Sequence, residues 1–215
     1  MRFIGITGGV GAGKSAILTY LAGKPKTKVM LADEIAHDLM EPGTDCYKKI
    51  VARFEGEDIF VEEEVPCSQE NKGQEETRKF HRGKLAQVIF SEDTKREAMN
   101  AIVHPAVKEY VRRQYIKEYI RGDLDLLVLE AALLIEEEYD EICDELWYIY
   151  TREDIRRKRL VESRGYSQEK IDSIMRSQLS EEEFRKHTQV VIDNNGDLEE
   201  TFRQIENALR READE

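Results

Sequence analysis

One motif near the N-terminus limits the possible folds of this chain more than any other feature. Residues 8–15 read GGVGAGKS, with Gly8, Gly13, Lys14 and Ser15 at the fixed positions of G-x-x-x-x-G-K-[ST]. An apolar run, RFIGIT, precedes the motif, and SAILTYLAG follows it, which predicts a strand, a glycine-rich loop and a helix in that order. Backbone N–H groups of such a loop point at one anion, together with the helix N-terminus. The motif therefore predicts a nucleotide phosphate site.

Each part of the loop has a predicted role. Lys14 is expected to reach the β- and γ-phosphates of ATP, and the Ser15 hydroxyl is expected to be a ligand of Mg²⁺. Glu130 ends a predicted strand and is a candidate to hold a Mg²⁺-bound water. The predicted nucleotide-binding residues of the loop are Gly8, Gly9, Val10, Gly11, Ala12, Gly13, Lys14, Ser15 and Ala16.

Composition excludes several other classes of protein. The chain has 215 residues and no apolar stretch near the ~20 residues of a membrane helix. Its N-terminus lacks the features of a signal peptide, so we predict a cytoplasmic protein without a membrane partner. A net charge of −12 argues against nucleic-acid binding and requires a local basic site for any anionic ligand. Cys46, Cys67 and Cys143 have neither disulfide-framework nor zinc-site spacing.

Strands alternate with amphipathic helical segments, which indicates an α/β fold with a five-stranded parallel sheet between two helical layers. The predicted strands are Arg2–Thr7, Thr27–Leu31, Leu124–Glu130, Glu145–Tyr150 and Gln189–Asp193. Helices are predicted over Thr44–Phe54, Gly83–Phe90, Asp93–Arg121, Arg152–Ser163, Gln168–Leu179 and Asp197–Arg211. We predict a nucleotide-binding core over 1–31 and 124–215, and a helical substrate-binding insert over 32–123 with an acidic loop at 55–79.

The phosphate-binding loop alone does not distinguish a switch GTPase, a motor ATPase and a small-molecule kinase. The chain has no N-K-x-D-like stretch that would specify guanine. Small kinases use a lid with several arginines that excludes water and neutralises charge. Residues 152–166 are rich in arginine, and helical spacing places Arg152, Arg156 and Arg159 on one face with Arg157 beside it. A solvated helix face is the alternative for each arginine alone, but the cluster favours a kinase lid.

Six segments in order resemble the dephospho-CoA kinase family, over about residues 2–210. They are GITGGVGAGKS, ADEIAHDLMEPG, HRGKLAQVIF, MNAIVHPAV, ALLIEE and VVIDNNG. That family transfers the γ-phosphate of ATP to the ribose 3′-hydroxyl of dephospho-CoA. The resemblance therefore implies ATP and Mg²⁺ as cofactors, dephospho-CoA as substrate, and a monomer or small homo-oligomer.

The resemblance also implies roles for individual residues. Asp33 matches the family's catalytic aspartate, although its position equally suits a helix cap. Lys14, Arg156 and Arg159 are the other predicted catalytic residues. The acceptor site is predicted to include Arg82, His104, Pro105 and Leu133. Asn194, Asn195 and Gly196 match the segment that passes the adenine, and an ordinary strand-to-helix turn is the alternative interpretation.

The chain departs from the family's pattern at several positions, which concern the acceptor more than the ATP site. Two alternatives therefore stay open: a related kinase that acts on another nucleotide or nucleoside, and a nucleotide-binding module without transferase activity. The departures are Leu31 for the first Asp of DAD, Ala132 for Pro, His81 for Asp, Ala16 for Thr, and Ser163 for a lid arginine, with Arg164 next to it.

Overall fold

The strands form one parallel sheet, as predicted. A computed structural model describes residues 1–61 and 78–210. The strands are β1 (Arg2–Thr7), β2 (Thr27–Leu31), β3 (Leu126–Glu130), β4 (Glu145–Tyr150) and β5 (Val190–Asp193). They are ordered β2-β3-β1-β4-β5, and every neighbouring pair is parallel. The predicted α/β fold class is therefore confirmed.

Helices account for most of the remaining described residues. They are α1 (Lys14–Ala22), α2 (Ala32–Leu39), α3 (Asp45–Arg53), α4 (Arg82–Ser91), α5 (Asp93–Arg121), α6 (Glu153–Arg164), α7 (Gln168–Arg176), α8 (Glu181–Lys186) and α9 (Leu198–Arg210). A short 3-10 helix covers Tyr139–Glu141. None of the helices in the described ranges is long and apolar enough to span a membrane.

The sequence-based bounds differ from the observed ones mainly at element ends. Strands β3 and β5 begin two and one residues later than predicted, and α7 ends at Arg176 rather than Leu179. Helix α8 was not predicted, because its six residues are too few to show helical periodicity. The Ser180 hydroxyl caps it by accepting a hydrogen bond from the Glu183 N–H at 3.2 Å.

Strand β1 lies at the centre of the sheet because both of its faces are apolar. Ile4 and Ile6 face one side, where they belong to a buried cluster with α1 and α9 residues such as Ile17 and Ile205. On the other side, the Phe3 ring stacks on Tyr115 of α5 at 5.3 Å. Helices therefore cover both faces of the sheet at β1, of which every residue except Arg2 is buried.

The chain divides into two compact units, which are described separately. Unit 1 comprises residues 1–32 and 114–215, and unit 2 comprises residues 33–113. The boundary within α5 lies ten residues before the end of the predicted insert. Most of the predicted acidic loop, and Cys67 with it, lies outside the described residues, and Cys46 and Cys143 are buried free thiols.

Unit 2 is helical around a small apolar core that includes Tyr47, Ile50 and Ile59. Residues flanking the undescribed segment pair through the Val61 N–H, which donates to the Lys79 carbonyl at 2.9 Å. His81, one of the departures from the family pattern, acts as the N-cap of α4, and its Nδ1 accepts from the Lys84 N–H at 3.2 Å. A histidine thus performs the capping role that an aspartate also suits.

Candidate active site

The loop between β1 and α1 has a conformation that needs glycine. Gly8, Gly11 and Gly13 have φ values of +150°, +83° and +88°, in a region that other residues rarely adopt. Gly13 precedes α1 directly, and a Cβ there would clash with the Asn194 side chain. A Cβ on Gly9 would overlap the Arg156 guanidinium. Side chains of distant elements therefore lie against the loop backbone.

The start of α1 suits an anion. Its N-cap is a glycine, so no side chain caps the helix, and its first turn contains no acidic residue. N–H groups at a helix N-terminus attract negative charge, and here Lys14 adds a full positive charge. The Lys14 ammonium donates to the Gly8 carbonyl at 2.7 Å and lies 3.5 Å from the Glu130 carboxylate. These features fit the triphosphate of ATP.

Glu130 is brought to this site by sheet register. It is the last residue of β3 and pairs with Ile6 of β1 and Leu31 of β2. Leu31, where the family pattern has an aspartate, packs against the buried cluster beside α1 and α9. The substitution therefore adds apolar packing at the end of β2.

The Ala12 carbonyl is the point at which three side chains meet the loop. Asn194 Nδ2 lies 2.7 Å from this oxygen, the Thr151 hydroxyl 3.0 Å and Arg159 NH1 3.2 Å. Arg159 also donates through NH2 to the Asn194 carbonyl at 3.0 Å. The loop is thereby joined to the ends of β4 and β5 and to α6.

Asn194 has a structural role in this geometry. It is 1% exposed, and its Oδ1 accepts from the Thr201 hydroxyl at 3.0 Å while its Nδ2 holds the loop. Asn195 forms the turn that follows, since its Oδ1 accepts from the Arg152 N–H at 2.8 Å. Gly196 is exposed next to it. An adenine contact for these three residues stays a prediction.

The arginines of α6 divide into two groups. Arg156 and Arg159 contact neutral oxygens of the loop region, and Arg156 Nε donates to the Val10 carbonyl at 2.9 Å. Burial lowers the pKa of Arg156, which is the direction expected for a cation shielded from water. Arg157 instead pairs with Glu153 and Asp172 at 2.7 and 2.6 Å. The Arg152 side chain pairs with Asp154 at 3.2 Å.

Gln178 is a residue near the loop that sequence reasoning missed. Its Oε1 accepts from the Val10 N–H at 3.3 Å and also from NH2 of Arg156. Gln178 lies just beyond the end of α7, within the segment that we predicted as an ordinary amphipathic helix. The residues around Gln178 do not indicate this contact, because Val10 is distant along the chain.

Ser15 and Glu130 offer oxygen donors near the loop. The Ser15 side chain is exposed in the first turn of α1, and oxygen ligands are those that Mg²⁺ prefers. No group of three or more His, Cys, Asp or Glu that would form a metal site occurs within 1–61 and 78–210. The donor set therefore suits an ion that shares its ligands with phosphate oxygens and water.

The remaining predicted residues occupy separate places. Asp33 lies in the first turn of α2, in unit 2, and is exposed. Arg82 begins α4, with its NH2 2.7 Å from His37 Nε2. His104 is half-buried and Pro105 is exposed, both in the interior of α5, which continues through the proline. Leu133 belongs to unit 1 and is 40% exposed after β3.

Unit 2 also contains a cavity of about 280 Å³ beside Arg82. Its lining combines apolar side chains with Arg82 and with Lys79, which pairs with Glu41 at 2.8 Å. These residues are His37, Met40, Glu41, Pro42, Val61, Lys79, Phe80, Arg82 and Leu85.

The parallel sheet has the order β2-β3-β1-β4-β5, and a phosphate-binding loop follows its central strand. Arg156 and Arg159 of α6 contact this loop. Together these features define a P-loop kinase. A family model described as dephospho-CoA kinase matches residues 2–200. The chain belongs to the dephospho-CoA kinase family. Members of this family are ATP-using phosphotransferases with an alcohol acceptor, and they catalyse the last step of coenzyme A biosynthesis.

Similar proteins cover nearly the whole chain. The dephospho-CoA kinase of Carboxydothermus hydrogenoformans is 34% identical, over 98% of this chain and 94% of its own length. That of Oceanobacillus iheyensis is 33% identical, over 97% and 96%. The crystal structure of TT1252 from Thermus thermophilus aligns at a TM-score of 0.70 with 28% identity, over 98% of this chain and 97% of that one. A shikimate kinase from Acinetobacter baumannii shares the fold at a TM-score of 0.51 and 14% identity, over 98% and 92%.

Proposed function

We propose that this chain transfers the γ-phosphoryl group of ATP to the ribose 3′-hydroxyl of dephospho-CoA, with Mg²⁺ as the required ion. The observation that carries the proposal is the loop at Lys14, whose backbone is held by Arg156 and Arg159 in a chain of this family. Phosphoryl transfer depends on positioning and on stabilising charge, which is what such a loop and its cations supply.

The donor side of the reaction uses unit 1. Lys14 and the N–H groups at the start of α1 bind the phosphates of ATP. Arg156 and Arg159 stabilise the charge that builds up on the transferring group, since both are held by neutral oxygens and keep their full charge. The Ser15 hydroxyl would be a ligand of Mg²⁺, and Glu130 would hold a water bound to the ion. Bound Mg²⁺ would neutralise charge on the phosphate oxygens.

The acceptor side of the reaction uses Asp33. The 3′-oxygen attacks the γ-phosphorus while its proton passes to the Asp33 carboxylate, and the bond to the β–γ bridging oxygen breaks to release ADP. The position of Asp33 directly after β2 supports this role, because ligands of parallel α/β sheets bind at the carboxyl ends of strands.

The unit 2 cavity supports an acceptor with both anionic and apolar parts. Arg82 supplies positive charge, and Phe80 and Leu85 supply apolar surface, while Lys79 forms an ion pair with Glu41 at 2.8 Å. His104, Pro105 and Leu133 are proposed to complete acceptor binding, and the Asn194–Gly196 turn is proposed to pass the adenine of ATP. We further propose a cytoplasmic monomer or small homo-oligomer that binds no nucleic acid, since its net charge is −12.

An acceptor panel tests the proposal. Purified protein with Mg²⁺ and ATP is offered dephospho-CoA, nucleoside monophosphates and nucleosides, while ATP affinity is measured separately. We expect CoA to form, and we expect Asp33→Asn to lower turnover about 10²-fold or more with ATP affinity retained. Asp38→Asn, at an exposed position of the same helix, is the matched control and should match wild type.

The other outcomes separate the alternatives. A clear preference for a nucleoside monophosphate would identify a kinase with a different acceptor. ATP binding without transfer to any acceptor would indicate a nucleotide-binding module and would overturn the proposal.

A further inference from the structure

We propose that Gln178 is a positioning residue for phosphoryl transfer: its side-chain oxygen holds the Arg156 guanidinium in place on the tip of the phosphate-binding loop. This inference rests on the proposed function, because it assigns Arg156 to the transferring phosphoryl group. It concerns a residue that lies outside the motifs at Gly8–Ser15 and at residues 152–166.

The hydrogen bonds around Gln178 form a closed arrangement. Arg156 Nε donates to the Val10 carbonyl at 2.9 Å, and Arg156 NH2 donates to Gln178 Oε1. The same Gln178 oxygen accepts from the Val10 N–H at 3.3 Å. The Val10 carbonyl thus bonds to Arg156, and the Val10 N–H bonds to Gln178. Two bonds through different nitrogens define the plane of the guanidinium, which neither bond alone would do.

The loop backbone is shaped to receive this arginine. Gly9 lies next to Val10, and a Cβ on Gly9 would overlap the guanidinium. The contact therefore requires glycine at position 9. Because a guanidinium carries more N–H donors than these two bonds use, Arg156 keeps donors for phosphate oxygens.

A neutral acceptor has a specific advantage at this position. A carboxylate would hold the arginine equally well but would offset its charge, and the charge is what stabilises the transferring group. Arg157 shows the contrast within α6, because it pairs with the carboxylates of Glu153 and Asp172. Within the described residues, Arg156 has hydrogen bonds only to neutral oxygens.

A cavity lies beside this pair of side chains. Arg156 and Gln178 both line a cavity of about 280 Å³ in unit 1, together with Tyr148 and Phe184. The rings of Tyr148 and Phe184 stack at 4.7 Å and form an apolar wall. The amide and the guanidinium therefore face an open space.

A double-mutant cycle tests the proposal, with CoA formation and ATP affinity as separate measurements. We expect Gln178→Met, which keeps the side-chain volume but removes the acceptor, to lower kcat about 10- to 100-fold and to change ATP affinity much less. Gln178→Glu keeps an acceptor but adds a charge, and we expect it to lower kcat at least as much. Gln168→Met, at an exposed position at the start of α7, is the matched control.

The decisive measurement is the coupling with Arg156. If Gln178 acts through Arg156, then Gln178→Met should cost almost nothing further in kcat once Arg156→Ala is present. A merely structural role predicts that the two losses multiply, and thermal unfolding of each variant would show the accompanying loss of stability. Multiplying losses, or a Gln178→Met variant with wild-type kcat, would overturn the positioning role. If wild type itself makes no CoA, the proposed function fails instead.

Discussion

Residues far along the chain lie against individual glycines of the phosphate-binding loop and leave no space for a larger side chain there. Gly13 has φ +88° and directly precedes α1, and its missing Cβ leaves space for the Asn194 amide that holds the Ala12 carbonyl. Asn194 is itself buried, so its amide cannot move aside into water. The phosphate-binding conformation thus depends on a residue of the β5–α9 turn.

We predict that Gly13→Ala weakens ATP binding by about tenfold or more and lowers the free energy of unfolding by about 1–2 kcal/mol, because alanine is strained at positive φ. The Asn194 contact adds a clash. Isothermal titration and urea unfolding measure the two effects. Gly23→Ala is the control, since Gly23 has φ −75° and its added Cβ would meet only ordinary contacts. Equal ATP affinity in both variants would contradict the argument.

Helices act on the active site as units, and α6 is the clearest case. Arg156 and Arg159 lie on the loop side of α6, three residues apart, while Arg157 is engaged by carboxylates. Helical periodicity therefore separates the two arginines that contact the loop from the one that pairs with a carboxylate of α7.

We predict that Arg156→Ala and Arg159→Ala each lower turnover by about 10²-fold, and lower ATP affinity less, because their charge acts on the transferring group. Steady-state kinetics and nucleotide titration measure the two quantities. Arg157→Ala is the matched variant from the same helix and should retain turnover within about threefold. The prediction fails if all three variants lose turnover equally.

Helices α1 and α9 are joined by a contact that titrates. Glu206 of α9 accepts hydrogen bonds from Lys24 and Tyr20, and the rings of Tyr20 and Phe202 stack at 4.0 Å. The hydrogen bond from the Lys24 ammonium lowers the pKa of Glu206 below its ordinary value. A lowered carboxyl pKa contributes stability above the ordinary value near 4.5 and loses it as the pH falls through the folded-state value.

We therefore predict that Glu206→Gln reduces the free energy of unfolding at pH 7 and has a smaller effect at acidic pH, because the wild-type carboxylate becomes protonated as the pH falls through its lowered folded-state pKa. Urea unfolding at pH 7 and at an acidic pH below the folded-state pKa measures the difference. Glu199→Gln, at an exposed position of α9, serves as the control. An equal loss at both pH values would show that the charge is not responsible.

At the scale of the whole molecule, an acidic protein binds polyphosphate because its cations are concentrated. The net charge is −12, so the average field repels ATP, yet Lys14, Arg156 and Arg159 meet at the loop region. The local field overcomes the average one because charges within a few ångströms interact most strongly.

We predict that ATP raises the thermal unfolding midpoint, and that the shift grows with the logarithm of the ATP concentration above the dissociation constant. At 100 times the dissociation constant, the stabilisation is about 2.7 kcal/mol, because a ligand that binds only the folded state shifts the equilibrium by mass action. Lys14→Ala at the same ATP concentration should lose most of this shift. Differential scanning fluorimetry measures both proteins, and an equal shift would show that Lys14 does not bind the nucleotide.

Much of the fold could be predicted because it depends on local patterns. Strands β1 and β4 are buried on both faces and appear as apolar runs, and both have the predicted ends. The half-buried edge strand β2 also has the predicted ends. The spacing of GGVGAGKS specifies a loop whose backbone conformation is itself the binding site. Helix α8 was not predicted because it has only six residues. A capping residue such as Ser180 does not by itself predict a helix.

The same contrast applies to the site. Lys14, Ser15 and the α6 arginines are candidates because of residue type and spacing along one element, whereas Asp33 is a candidate through the resemblance to the family. The partners that hold the loop could not be named in this way. Asn194 resembles an ordinary turn residue and Gln178 an ordinary helix residue, and only their approach to Ala12 and Val10 distinguishes them. Local patterns specify which groups a chain can offer, whereas long-range packing selects the ones that meet, because hydrogen bonds between distant residues depend on the folded arrangement of the elements that carry them.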